Sequence, residues 1–124
     1  MSDATLRSLL AAPALALRLV SGADEGVDRP LRWMHSTDLP DPTPFLADDL
    51  ALLTTGGQFD GQTSPEEYVD RLAARGVAGL GFGTGVRHPE VPVALVEACA
   101  SAGIPLFEVP YETPFIAVAR AHAE

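Results

Sequence analysis

The chain has 124 residues, 47% of them hydrophobic, enough apolar surface for the core of one domain and too much for a disordered segment. Its eight basic residues are all arginine and face seventeen acids, a formal net charge of -9 that repels nucleic-acid phosphates, so no direct nucleic-acid binding is expected. The lack of lysine removes a Schiff-base nucleophile and a P-loop, the lone Cys99 excludes an intramolecular disulfide and a Cys-based metal site, and no apolar run reaches the roughly 18 to 20 residues of a membrane span. With no basic segment leading into an apolar one at the start, a cytoplasmic protein with no membrane contact is expected.

Along the chain, Thr5 is placed to cap a short helix through Ala12, with Leu6, Leu9 and Leu10 on one face and Pro13 as the stop. Leu15, Leu17 and Leu19 then alternate as in a half-buried strand ending at Ser21-Gly22. Residues 31–37 are a second strand, with Leu31, Trp33 and His35 on one side, and the three prolines of 38–44 make a rigid corner. Residues 50–53 read as a strand buried on both faces, left through Thr54-Thr55-Gly56-Gly57. Ser64-Pro65-Glu66-Glu67 combines an N-cap, a proline at the first helical position and a glutamate set for a capping box, so a helix runs to Gly76. A buried strand over 77–82 enters the glycine-rich Gly83-Thr84-Gly85, and Pro92 opens a helix with Val93, Val96 and Ala100 as its apolar stripe. A strand over 105–109 and a helix from Thr113-Pro114 to about His122 complete the chain. Strand and helix alternate over 50–109, the mark of right-handed crossovers, and predict one α/β domain over 1–124 with a mostly parallel central sheet of about five short strands and about four helices.

In such sheets ligand sites gather beyond the carboxyl ends of the strands. Four loops fall there: 37–41, 54–58, 81–87 and 108–113. Thr54, Thr55 and Gly56 offer two hydroxyls and backbone amides to a carboxylate, urea or amide, or else the glycines only let the strand leave sharply. The run 81–85, with Gly83 and Thr84, permits close backbone approach to a small ligand, but it is neither a Walker loop nor a dinucleotide fingerprint. Asp38 and Asp41, stiffened by Pro40, can accept amide-like donors or cap their own backbone. Glu108, ahead of Pro110 and Tyr111, is either half-exposed or paired with an arginine such as Arg32 or Arg87. His35 has no nucleophile or metal partner at a suitable spacing and reads as a packed histidine bonded to Asp38 or backbone. Cys99, amid alanine and valine, reads as a small buried apolar residue. No cofactor motif, metal cluster or nucleophile elbow is present, and no catalytic residue is assigned.

The segments WMHSTDLPDPTPFLADDLALLTTG (33–56) and IPLFEVPYETPF (104–115), with TLRSLLAAPAL and VAGLGFGTG, make the chain resemble the amino-terminal domain of the PucR (purine catabolism regulatory protein-like) family of bacterial transcription regulators. The matching residues are Trp33, His35, Leu39, Pro40, Asp41, Pro42, Leu50 to Gly56 and Glu108 to Pro110; the family often has glutamate where this chain has the shorter Asp38. The resemblance implies a regulatory domain that responds to a small nitrogen-rich effector (a purine-breakdown intermediate, amine or amino acid), is dimeric, and leaves DNA binding to a helix-turn-helix elsewhere. Element order alone is also similar to the amino-terminal domain of the HPr kinase/phosphorylase family. The alternative is a homodimerising or protein-interaction module whose apolar patch includes Phe59, Tyr111 and Phe115; a hydrolase-like acid pair of Asp38 and Glu108 is the third reading.

Overall fold

The computed structural model describes residues 5–22, 24–61 and 63–123. A five-stranded sheet carries the chain, with strands β1 (Arg18–Ser21), β2 (Trp33–Ser36), β3 (Leu50–Thr54), β4 (Gly79–Gly83) and β5 (Leu106–Val109) in the spatial order β1-β5-β4-β3-β2. β2 to β5 are parallel neighbours, and β1 closes the far edge antiparallel to β5, with an irregular step between Leu19 and Ser21. The fold is thus the mostly parallel α/β sheet the sequence predicts.

The alternation of side chains along β3, β4 and β5 divides the interior in two. Leu50, Leu52, Leu80, Phe82 and Leu106 face a cluster built with Tyr68, Val69 and Leu72 of helix α3 (Pro65–Ala74) and Leu95 and Cys99 of helix α4 (Val93–Ala102). Ala51, Leu53, Phe107 and Val109 face the other cluster, with Leu6 and Leu9 of α1 (Leu6–Leu10) and Val118 of α5 (Phe115–Ala123). β4 shows the principle most sharply. Its glycines occupy one face because Cβ atoms there would lie 2.6 Å from Phe107 at Gly81 and 2.8 Å from Phe115 at Gly83, while Leu80 and Phe82 fill the other face. The glycine-rich run therefore makes room for aromatic rings of this chain.

Local capping follows the sequence in part: the box expected at Ser64 and Glu67 is half made, because the Glu67 carboxylate turns toward Arg71 at 3.9 Å. Thr5 and Ser8 form a reciprocal capping box at α1, and the Ser64 hydroxyl accepts from the Glu67 amide behind Pro65. Gly103, at φ 74°, ends α4 in the left-handed region. Three expectations shift. The first strand begins at Arg18, later than the Leu15–Leu17–Leu19 alternation suggests, because both earlier leucines are already buried in the approach to it. The face of α4 turned to the core is Leu95 and Cys99, one turn apart, whereas Val93 is 70% exposed and Ala100 points to solvent. A single helical turn, α2 (Asp24–Val27), stands where no helix is expected; four residues with an internal glycine leave no periodic signal.

Candidate functional site

The strands' carboxyl ends bring Thr55, Gly83 and Thr84, Val109 to Tyr111, and the start of α5 around one mainly apolar cavity of about 250 Å³. Three of the four rim loops line it directly. The fourth is tied to it by Asp38, whose carboxylate accepts from the Thr54 hydroxyl at 2.7 Å, the Thr55 amide at 2.8 Å and the Thr55 hydroxyl. A larger groove of about 330 Å³ between α3 and α4 is shallow and offers the carboxylates of Glu66, Asp70 and Glu97 and the Ser101 hydroxyl among small apolar residues. It lies on the helix surface, away from the rim.

Asp38 does not cap its own loop. Desolvation is the strongest influence on its carboxyl and raises the pKa; the Thr55 hydroxyl and amide, the Thr54 hydroxyl and the Arg87 charge outweigh it, and the net shift is downward. Thr54 has one proton and two nearby acceptors, the Asp38 oxygen at 2.7 Å and the Gln58 carbonyl oxygen at 3.1 Å. A half-turn of the Gln58 amide resolves the competition, because Nε2, buried without a partner, then donates to the Thr54 hydroxyl. Beside Gln58 stands Tyr68, whose phenol burial first and the Asp38 charge second push toward higher pKa.

Gly56 follows at φ 88°, with its amide donating to the Thr54 hydroxyl at 3.2 Å and its carbonyl 3.2 Å from His88 Nε2. No side chain fits there, since a Cβ would lie 2.6 Å from Phe82 and 2.7 Å from His88. On the neighbouring strand, Thr84 donates its hydroxyl proton to Glu108 at 2.9 Å, and Arg18 meets the other Glu108 oxygen at 3.0 Å. Arg18 is the register partner of Glu108 across β1 and β5. The expected partners Arg32 and Arg87 are engaged elsewhere, near Asp49 and Asp60, both at 3.6 Å.

Of the residues the sequence puts forward, Thr55, Gly83, Thr84 and Tyr111 line the cavity. Asp38 and Glu108 stand one hydrogen bond behind it, on Thr55 and Thr84. Thr54 and Gly56 point instead to the Gln58 and Phe82 side. Asp41 folds onto Thr43, accepting from its amide at 3.2 Å and from its hydroxyl, and these bonds, hydroxyl first, hold its pKa low; it plays the local capping role. His35 stacks on Phe45 at 5.6 Å in place of a bond to Asp38, and the acid pair is split between separate partners. The patch of Phe59, Tyr111 and Phe115 does not form: Phe59 packs edge-on against Tyr68 at 5.2 Å, Phe115 packs in the opposite cluster, and Tyr111 alone is well exposed. Cys99 is buried, which pushes its thiol up to about 12.

Val86 and Thr113 of the expected rim loops, Pro114 at the start of the last helix, and Phe115, expected in an interaction patch, complete the wall, none of them expected as a ligand contact. For Thr113, Pro114 and Phe115 the signal is the Thr113-Pro114 helix start immediately after β5, which places the next helix's first turn on the rim.

Geometrically this is a small α/β domain with an apolar cavity and acidic support at the strands' carboxyl ends. Comparison with known proteins places it further. The profile of the PucR: Purine catabolism regulatory protein-like family matches residues 8–124, and the chain belongs to that family. It is 29% identical over 120 residues to the transcriptional activator PmfR of Paenarthrobacter nicotinovorans, covering 96% of this chain and 25% of that protein. It is 30% identical over 93 residues to the purine catabolism regulatory protein of Bacillus subtilis (strain 168), covering 74% of this chain and 17% of that protein. The chain thus spans a quarter or less of the length of these relatives, a transcriptional activator and a purine catabolism regulatory protein. In fold it is similar to the CBS and DRTGG domains of the regulatory region of Clostridium perfringens pyrophosphatase, crystallised with the activator diadenosine tetraphosphate, at TM-score 0.63 and 12% identity over 96% of this chain and 46% of that one. Among the described residues no helix is long and apolar enough to cross a membrane.

Proposed function

We propose that the chain is a single regulatory domain that senses a small nitrogen-rich metabolite in the rim cavity and passes the signal to a separate DNA-binding part of a transcription regulator. The observation that carries the reading is the convergence of loops from three strands with the first turn of α5 on one cavity. Phe115 belongs to that wall and also to the core beneath α5, so a ligand's preference for one position of Phe115 becomes a preference for one position of the helix. The family's name supplies the ligand chemistry and its relatives supply the transcriptional context. The net charge of -9 supports a domain that does not itself grip DNA. The polyphosphate of the structural neighbour is not carried over, because no arginine or histidine stands in this cavity's wall.

A second reading, a homodimerising or protein-docking module without a small ligand, is supported by the edge strand β2. There Trp33 is 59% exposed, and Phe45, also exposed, stacks on His35 of the same strand. Calorimetric titration with purine catabolites and amines, run with sedimentation on the same sample, separates the two. Saturable binding supports the sensor; no binding with a concentration-dependent dimer supports the module.

A further inference from the structure

The three threonines of the cavity wall are unusual in what they have left to offer, whereas the amides of Val86, Tyr111 and Phe115 in the same wall have no acceptor among the described residues. Thr55 donates its amide and its hydroxyl proton to Asp38. Thr84 donates its amide to the Val109 carbonyl at 3.1 Å and its hydroxyl to Glu108 at 2.9 Å. Thr113 donates its amide to the Pro110 carbonyl at 2.9 Å and its hydroxyl to the Leu15 carbonyl at 2.7 Å. Pro110 and Pro114 have no N–H at all. A hydroxyl has one proton and two lone pairs, so once the proton is committed the oxygen can only accept. The wall contains no arginine or histidine to meet a negative charge, and carboxylates stand behind two of its threonines.

Resting on the sensory reading of this cavity, we infer that Asp38 and Glu108 are its polarity-setting residues: by holding the Thr55 and Thr84 protons they leave these two hydroxyls as acceptors, so that the threonine side of the cavity selects a small ligand donating N–H bonds over one that places a carboxylate there. The remaining wall, Val86, Val109, Pro110 and Phe115, is apolar and packs against the ligand's non-polar part. Selectivity then comes from a mismatch: a carboxylate placed against Thr55 and Thr84 finds no proton on either hydroxyl, and its lone pairs on that side lose the bonds they had to water.

The test uses benzamidine, benzamide and benzoate, which share one ring and one planar head and differ in donors and charge. Each is titrated into the 124-residue chain while the backbone amide resonances of Gly83, Thr84, Val86 and Tyr111 are followed. Benzamidine or benzamide is expected to shift these amides saturably, with benzoate about tenfold weaker or worse, equivalent to about 1.4 kcal/mol. In Glu108→Gln the new amide can donate to Thr84 and release its hydroxyl proton toward the cavity, so the benzamide-to-benzoate ratio should narrow, with the melting temperature recorded to show the fold intact. Benzoate binding at the rim as tightly as benzamide overturns the inference and leaves the sensory cavity standing. No shift at the rim with any probe overturns the inference and the sensory reading together.

Discussion

β3 leaves the sheet through Thr54-Thr55-Gly56 and β4 through Gly83-Thr84-Gly85, and in both turns a threonine hydroxyl donates to a carboxylate from a neighbouring strand or its end. The settings differ. The first turn is sunk between the Asp38 corner, Gln58 and the Phe82 ring, and its acid receives three bonds. The second lies beside exposed Tyr111, and its acid is shared with an arginine that is itself 65% exposed. Thr84 is itself buried, so the two turns differ less in the burial of their bonds than in their number, three on Asp38 against one hydroxyl bond and a solvated arginine on Glu108.

The glycines sharpen this contrast most strongly. At Gly56, φ 88°, an alanine Cβ meets the buried Phe82 ring at 2.6 Å; at Gly85, φ 90°, it meets Tyr111 at 2.8 Å. Both substitutions carry left-handed strain, but only Tyr111 has solvent to move into. Gly56→Ala should destabilise the chain by about 3 kcal/mol and Gly85→Ala by about 1 to 2 kcal/mol, read from urea unfolding. Equal losses would mean that burial does not separate the two turns.

The carboxylates come next. Asp38→Ala strands the Thr55 amide and two threonine hydroxyls in a part-buried position and should cost about 2 to 3 kcal/mol. Glu108→Ala strands the hydroxyl of the buried Thr84 and removes an ion pair whose arginine is largely solvated, and should cost about 1 to 2 kcal/mol. If equilibrium unfolding ranks Glu108→Ala as the more damaging, the sunken turn is not the structural one.

Why these turns were only half legible is a matter of sequence distance. The strands, the capping by Thr5 and Ser64, and the ending of α4 at Gly103 are local events, and local chemistry declares them. The rim position of Thr55, Thr84 and Tyr111 follows from a general rule about parallel sheets. The bonds that define the site are not local: Asp38 is 17 residues from Thr55, and Arg18 is 90 residues from Glu108. Strand order decides the Arg18 pairing, and nothing in the spacing of one sequence reveals that β1 runs antiparallel beside β5. The exposed Val93 teaches the same lesson on a helix: its core-facing side is chosen by the sheet it lands on, and α4 is apolar nearly all round.

Acid separates the turns by another route. The folded pKa of Asp38 lies below its ordinary value, so the stability it contributes is fully present above the unfolded carboxyl value of about 4 and is lost as pH falls through the lower folded value. Asp38→Asn removes that titration while keeping an acceptor oxygen. Urea midpoints measured from neutral pH down to about pH 3 should therefore fall less steeply for Asp38→Asn than for the parent chain over the acidic part of that range. Parallel slopes would show that the three bonds do not favour the charged form.

The smallest effect expected is at Arg18. Its guanidinium lies 3.0 Å from Glu108, but it is largely solvated, and exposed pairs of this kind contribute about 0.5 kcal/mol. Arg18→Ala should leave the melting temperature within about 3 °C of the parent. Glu108 keeps the Thr84 hydroxyl in that variant, and β1 keeps its backbone pairing to β5. A large loss would instead mean that Arg18 locks the antiparallel edge strand onto the sheet, making the exposed turn as structural as the sunken one. Measured together with Glu108→Ala, the pair forms a double-mutant cycle, and a coupling near the single-bridge value confines Glu108's larger role to the hydroxyl it shares with the cavity.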